Sequence, residues 1–165
     1  MQKHIGYIKA TTSYGGDMYD AYKEYYTDAC RDVFETWLAT RPKVGGIFLY
    51  RGYCFDSRYW EDSHVEEGRV IDVDSLTQSV ELPAFTDDYI RAVRYINEFG
   101  ETGLSEIVKV LFEVCLHDRY FVDISEYSVY QEEREYRPVR GMRLYVDKVQ
   151  KLGNMIKVIC SETGV

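Results

Sequence analysis

The spacing of apolar side chains predicts one long amphipathic helix early in the chain. Between Met18 and Leu38 the positions Met18, Ala21, Tyr22, Tyr25, Tyr26, Ala29, Val33, Phe34, Trp37 and Leu38 recur every three or four residues. That repeat places side chains on one helical face. Asp17 stands where a cap would accept the first free amides, and Arg41-Pro42 supplies the stop, because proline disfavours helical geometry in the residue before it. Gly45-Gly46 then opens Ile47-Phe48-Leu49-Tyr50, an apolar run with glycine on both sides that reads as a mostly buried strand.

The stretch from Tyr53 to Gly68 has no clean period and reads as irregular structure. Val70 to Val73 and Ser79 to Leu82 read as short strands. Thr86-Asp87-Asp88 reads as a helix start, with a capping hydroxyl and two acids at the positive end of the helix dipole. Ile90, Val93, Ile96 and Phe99 form its apolar stripe and Gly100 its end. Ile107 to Leu116 predicts a long strand and Phe121 to Ile124 a shorter one. Arg143 to Val149 and Ile156 to Cys160 predict a hairpin around Gly153-Asn154. Helices lead and strands follow without alternating βαβ units, so the expected class is α+β. No repeat or linker divides residues 1–165, which are read as one domain.

Composition narrows the function classes. No stretch approaches the roughly 18 consecutive apolar residues of a membrane span, so no membrane partner is expected. The first residues lack the apolar run of a secretory signal, which predicts a cytoplasmic protein. A net charge of −8 argues against an extended DNA-binding surface and favours basic, arginine-bearing macromolecular partners. Cys30, Cys54, Cys115 and Cys160 form no paired motif and read as reduced thiols. His4, His64 and His117 are isolated, and Asp62-Ser63-His64 beside Glu66-Glu67 is a poor ligand set, so no metal site is assigned.

Three segments carry candidate chemistry. Arg51, between Tyr50 and Gly52 at a strand end, can present its planar fork to a diphosphate while the glycine lets backbone approach a ligand. Its plain alternative is an arginine paired with a nearby carboxylate. Thr86, next to Phe85, offers a hydroxyl that could orient a carboxylate or simply cap a helix, with Ser75, Thr77 and Ser79 as alternatives. Glu133 and Glu135, if extended, share one face and one site, because strand side chains repeat every two residues. Such a pair suits an oxocarbenium-like transition state, with one acid stabilising charge at a sugar carbon and the other preparing a nucleophile. The alternative is a solvated charge cluster beside Arg134 and Arg137.

In this order the three segments resemble the Arg–Ser/Thr–Glu class of ADP-ribosyltransferases, the cholera-toxin-like branch with an E-x-E motif that includes small phage-encoded members. Leu49-Tyr50-Arg51-Gly52 is similar to the strand bearing the first arginine. Pro83-Ala84-Phe85-Thr86 is similar to a degenerate middle motif, and Glu133-Arg134-Glu135 with Pro138 and Gly141 to the E-x-E loop. The resemblance spans roughly residues 45 to 160. It implies two mainly antiparallel sheets split around an NAD cleft, with a helical N-terminal part. It also implies mono-ADP-ribosyl transfer from NAD, with Arg51, Gly52, Thr86 and Phe85 around the dinucleotide. Thr86 would position Glu135, which would stabilise the cation left when nicotinamide departs.

Glu133 would orient the acceptor. An arginine side chain is permanently protonated and needs such a bidentate partner, so the expected acceptor is arginine on a protein. RNA or water are alternatives for the same cation, and a phage-encoded member would act in the host cytoplasm. The alternative of a different class is a non-catalytic acidic binding protein of the same fold, to which the 16 tyrosines would suit a contact surface.

Overall fold

A computed structural model describes residues 1–13, 16–77, 79–99 and 106–164. The N-terminal third is helical. Helix α1 (Lys3–Thr12) packs on α3 (Asp28–Thr40), with the shorter α2 (Gly16–Tyr22) and a 3-10 turn (Lys23–Tyr25) between them. The single long helix expected over 18–38 is therefore two helices. Thr27 separates them: its backbone is extended, and its hydroxyl accepts from the Cys30 amide at 3.2 Å to cap α3. Apolar spacing continues through this break in the sequence although Tyr26 and Val33 of the expected stripe are exposed, which is why periodicity alone reads through it. Beyond the cap, Cys30, Phe34 and Leu38 are buried against Tyr7 and Ile8 of α1.

Strand β1 (Gly45–Asp56) is longer than the apolar run that announced it. Residues 53–56 continue pairing with β4 (Ile107–His117), down to Asp56 opposite Ile107. The supposed loop that follows contains α4 (Ser57–Ser63), started by the Asp56 carboxylate, which accepts from the amides of Arg58 and Tyr59. Aromatic residues in this region pack inward rather than alternate with solvent: Phe55 contacts Tyr53, Tyr59, Trp60 and Phe112.

The remaining strands are β2 (Val70–Asp72), β3 (Phe85–Thr86), β5 (Phe121–Asp123), β6 (Glu135–Pro138), β7 (Arg143–Leu152) and β8 (Met155–Gly164). The hairpin of β7 and β8 turns at Gly153, whose φ of +60° favours glycine. The α+β reading holds. All eight strands form one sheet in the order β2-β7-β8-β4-β1-β3-β6-β5, antiparallel except for β4 beside β8. The ladder is continuous where a split into two sheets was expected, and a single residue pair, Tyr50 with Thr86, joins β1 to β3.

Two other expectations are corrected between β2 and β4. Residues 79–82 are not a strand, because the carbonyls of Val80 and Leu82 accept from Arg140 and Arg137 rather than from a neighbouring strand. Helix α5 (Tyr89–Phe99) starts after Asp88, not at Thr86; the Asp88 carboxylate accepts from the Arg91 amide. Its buried face is Ala92 and Ile96 against Leu111, whereas Ile90 of the expected stripe is 66% exposed. The expected helix end at Gly100 and the Phe99 side chain lie outside the described residues.

Two features yield predictions. Gly52 lies where β1 passes under α5, and a Cβ built there would sit 2.1 Å from the Ala92 carbonyl oxygen and 2.7 Å from Ile96. Helix backbone cannot yield cheaply, so Gly52→Ala should lose on the order of 1–3 kcal/mol, read from the urea midpoint.

Glu162 on β8 is buried; its Oε2 accepts from the His117 amide at 2.8 Å, while Oε1 has no hydrogen-bond partner among the described residues. Burial raises its carboxyl above the ordinary range, the His117 contacts opposing. A raised folded pKa means that ionisation disfavours the folded state, a penalty present above that pKa and relieved as pH falls through it. Glu162→Gln should therefore be more stable than the native chain near about pH 8, with a margin that shrinks toward about pH 4 in pH-dependent urea unfolding.

Candidate active site

The sheet's narrow junction, α5, Thr77 and the irregular segment 79–84 enclose a cleft of about 480 Å³. Arg51, Gly52, Thr86, Glu133 and Glu135 all line it, so the three candidate segments converge on one site. Phe85 borders the cleft through its backbone, but its ring is 2% exposed and packs edge-on against Phe121 at 5.0 Å. Its side chain belongs to the core.

Arg51 extends from β1 toward Leu76 and Ala84. Its Nε donates to the Leu76 carbonyl at 3.1 Å and its Nη1 to the Ala84 carbonyl at 3.0 Å, while the guanidinium lies 4.6 Å from the Tyr53 ring centre. Burial pushes its pKa down to about 10, partly offset by Tyr95, Tyr53 and Glu135. Nη2 is the group left for a ligand.

Thr86 is the register partner of both Tyr50 and Glu135. Its hydroxyl nevertheless does not bond Glu135. It donates to the Glu133 carbonyl at 3.0 Å and accepts from the Asp88 amide at 3.1 Å, tying the acidic loop to the start of α5.

The acidic pair itself is not extended. Gln131–Glu133 forms a 3-10 turn, Arg134 takes a left-handed backbone with φ +50°, and only Glu135 begins β6. Both acids still line the cleft, but a turn delivers them rather than a common strand face. Arg134, which lies between the two acids in sequence, meets a third. Its guanidinium meets Asp87 at 2.5 Å, and Asp87 also accepts from the Tyr136 hydroxyl.

The period-two rule applies instead to Glu135 and Arg137. Arg137 Nε meets Glu135 Oε2 at 2.5 Å, with side-chain exposures of only 4% and 5%, and Arg137 Nη1 donates to the Leu82 carbonyl at 3.0 Å. Burial alone would lower the Arg137 pKa, but the charge and hydrogen bond of Glu135 outweigh it and hold the guanidinium above its usual value. Sequence reasoning passed over Arg137, treating it as surface charge. The signal was its position two residues after Glu135 in a strand.

Helix α5 supplies further cleft residues that the sequence did not single out: Arg91, Arg94, Tyr95 and Glu98. Arg91 Nε is buried without a hydrogen-bond partner among the described residues, 3.9 Å from the Asp88 carboxylate. The Tyr95 hydroxyl has a raised pKa, mainly through burial, with Glu133 adding to the rise and Arg51 opposing it. Among the described residues no group of three or more His, Cys, Asp or Glu could hold a metal. No helix in them is long and apolar enough to cross a membrane.

No protein-family model and no curated protein matches the sequence. Solved structures do. The ADP-ribosyltransferase Vis in complex with agmatine aligns with a TM-score of 0.62 at 19% identity, covering 99% of this chain and 68% of Vis. Vis is a toxin from Vibrio splendidus. The ADP-ribosyltransferase toxin Plx2a of Paenibacillus larvae aligns at 0.62 with 11% identity, covering 99% of this chain and 87% of Plx2a. C3stau2 of S. aureus, solved with NAD, aligns at 0.58 with 11% identity over 99% of this chain and 87% of C3stau2. The architecture assembled here from eight strands and a helical N-terminal part is thus the fold of ADP-ribosyltransferases.

Proposed function

We propose that this chain, as one domain, is a mono-ADP-ribosyltransferase that cleaves NAD and passes ADP-ribose to a macromolecular acceptor, with arginine on a protein as the acceptor. The observation that carries the reading is the meeting of Arg51, Glu133 and Glu135 in one cleft, from segments more than 80 residues apart in sequence. A volume of about 480 Å³ suits a dinucleotide-sized ligand, since pockets for such molecules run to roughly 300–1,000 Å³. The unpartnered Nε of Arg91 and the remaining Nη2 of Arg51 give the cleft donors that a diphosphate would satisfy.

In this reading NAD lies with its nicotinamide ribose toward Glu135. The carboxylate stabilises positive charge as the bond from ribose to nicotinamide breaks. Glu133, at the cleft edge on its turn, holds the acceptor guanidinium by paired hydrogen bonds. Agmatine, the guanidinium ligand in the Vis complex, and NAD in the C3stau2 complex are the chemistries this arrangement suits. The buried partnership of Glu135 with Arg137 favours one second reading, a binding protein that keeps the fold without turnover. Nicotinamide release separates the two.

Glu135→Gln should lower nicotinamide release on the order of a hundredfold or more, with the fold retained by circular dichroism. Unchanged release, or no release from the native chain with NAD at millimolar concentration, rejects the proposed activity.

Glu133→Gln tests the acceptor assignment separately. It should suppress labelling of protein arginine by about tenfold or more while hydrolysis of NAD to free ADP-ribose persists, because water needs no guanidinium clamp. Mass spectrometry of labelled proteins and RNA from a lysate identifies the acceptor. Label confined to RNA would overturn the arginine assignment and leave the NAD chemistry standing.

A further inference from the structure

We infer that Arg137 is the positioning residue for Glu135: its Nε fixes Oε2 and leaves Oε1 on the cleft side, a task expected of the hydroxyl at residue 86. The inference rests on the activity proposed above and names the side chain that prepares its central carboxylate.

Three observations carry it. The Thr86 hydroxyl is already committed at both ends, donating to the Glu133 carbonyl and accepting from the Asp88 amide. A hydroxyl has one proton to donate, so Thr86 cannot also hold Glu135 in this arrangement. Arg137 meets the carboxylate at 2.5 Å and is itself held at Nη1 by the Leu82 carbonyl, 3.0 Å away. A guanidinium fixed at one nitrogen presents its others in a rigid plane, which makes it a geometric clamp as well as a charge.

The third observation is energetic. A buried ion pair contributes little to stability compared with apolar residues of the same volume. This pair is buried, yet both of its members line the cleft. Orientation of a reacting group is a use of buried charge that packing alone could not supply.

The groups facing the pair come from every neighbouring element. Arg51 of β1 lies within electrostatic reach of both members, Glu81 of the irregular segment and Tyr7 of α1 act on Arg137, and Glu133 shares the cleft wall. Arg137 is the one among them that bonds the Glu135 side chain directly. Removing it leaves Glu135 with Arg51 in electrostatic reach but with no side chain fixing its direction.

The test uses Arg137→Lys, which keeps the charge but loses the planar fork, and Arg137→Met, which loses both. Nicotinamide release is measured as separate kcat and KM for NAD across about pH 5–9, with folding followed by circular dichroism. Arg137→Lys should lower kcat by roughly thirtyfold with KM changed less than about threefold, because orientation rather than binding is lost. In Arg137→Met kcat should fall at least as far, since the planar fork and its charge are both lost. In a Glu135→Gln background the lysine replacement should have almost no further effect on kcat.

A folded Arg137→Lys with native kcat overturns the inference, as does an additive loss in the double variant. Should Arg137→Met fail to fold, the lysine variant and the double variant decide alone. A native chain that releases no nicotinamide removes the activity and this role with it, whereas a native chain that turns over beside an equally active Arg137→Lys removes only this role.

Discussion

A guanidinium taken out of water must find acceptors for its donors, and Arg51 and Arg137 find them on one irregular segment, to which the exposed Arg140 also bonds. Arg51 reaches the carbonyls of Leu76 and Ala84, Arg137 that of Leu82, and Arg140 that of Val80. Regular strand pairing would have turned these carbonyls toward a neighbouring backbone. Left irregular, the segment satisfies the arginines, and the arginines satisfy the segment. The rim of the cleft is built from this exchange: the wall at residues 79–84 is held by side chains that begin on β1, on β6 and in the turn after β6.

The sheet places those strands at the needed distance. β1 is paired along its length with β4 on one side, but on the other it touches β3 only at Tyr50. β3 in turn pairs with β6 at two positions, Phe85 with Tyr136 and Thr86 with Glu135. So narrow a junction leaves room for a cleft while keeping residues 50, 86 and 135 in one row. Helix α5 roofs the other side, brought close by the missing side chain at Gly52. The glycine read from the sequence as an approach point for a ligand lines the cleft and also admits the helix.

The long elements were legible because one physical signal dominated each. Ile107–His117 and the closing hairpin bury a regular set of β-branched and apolar residues, and the α+β class followed. Elements were misread where a short polar interaction overrode hydrophobic spacing. Thr27 caps a new helix within an unbroken apolar spacing, Asp56 starts a helix inside an apparent loop, and the arginine forks occupy the carbonyls of residues 80 and 82. Convergence of Arg51, Thr86, Glu133 and Glu135 on one cleft was legible from their order, but not the partners of each. Partnership depends on where a turn such as Gln131–Arg134 points its side chains, and extended geometry was the wrong premise there. The same premise, moved two residues along, holds for Glu135 and Arg137.

Charge is distributed in the cleft differently from the chain as a whole. The protein carries a net charge of −8, yet the cleft wall includes four arginines, at 51, 91, 94 and 137, and four glutamates, at 81, 98, 133 and 135. A uniformly acidic cleft would repel a diphosphate, and a uniformly basic one would repel a guanidinium. Balance lets one site address both, provided the charges are held apart rather than allowed to neutralise each other. Holding them apart is what the backbone carbonyls do: Arg51 is fixed by two of them, so its charge is not spent on the nearest carboxylate. Arg137 differs, bonded directly to Glu135, and that bond falls on the carboxylate to which the proposed reaction gives the central part.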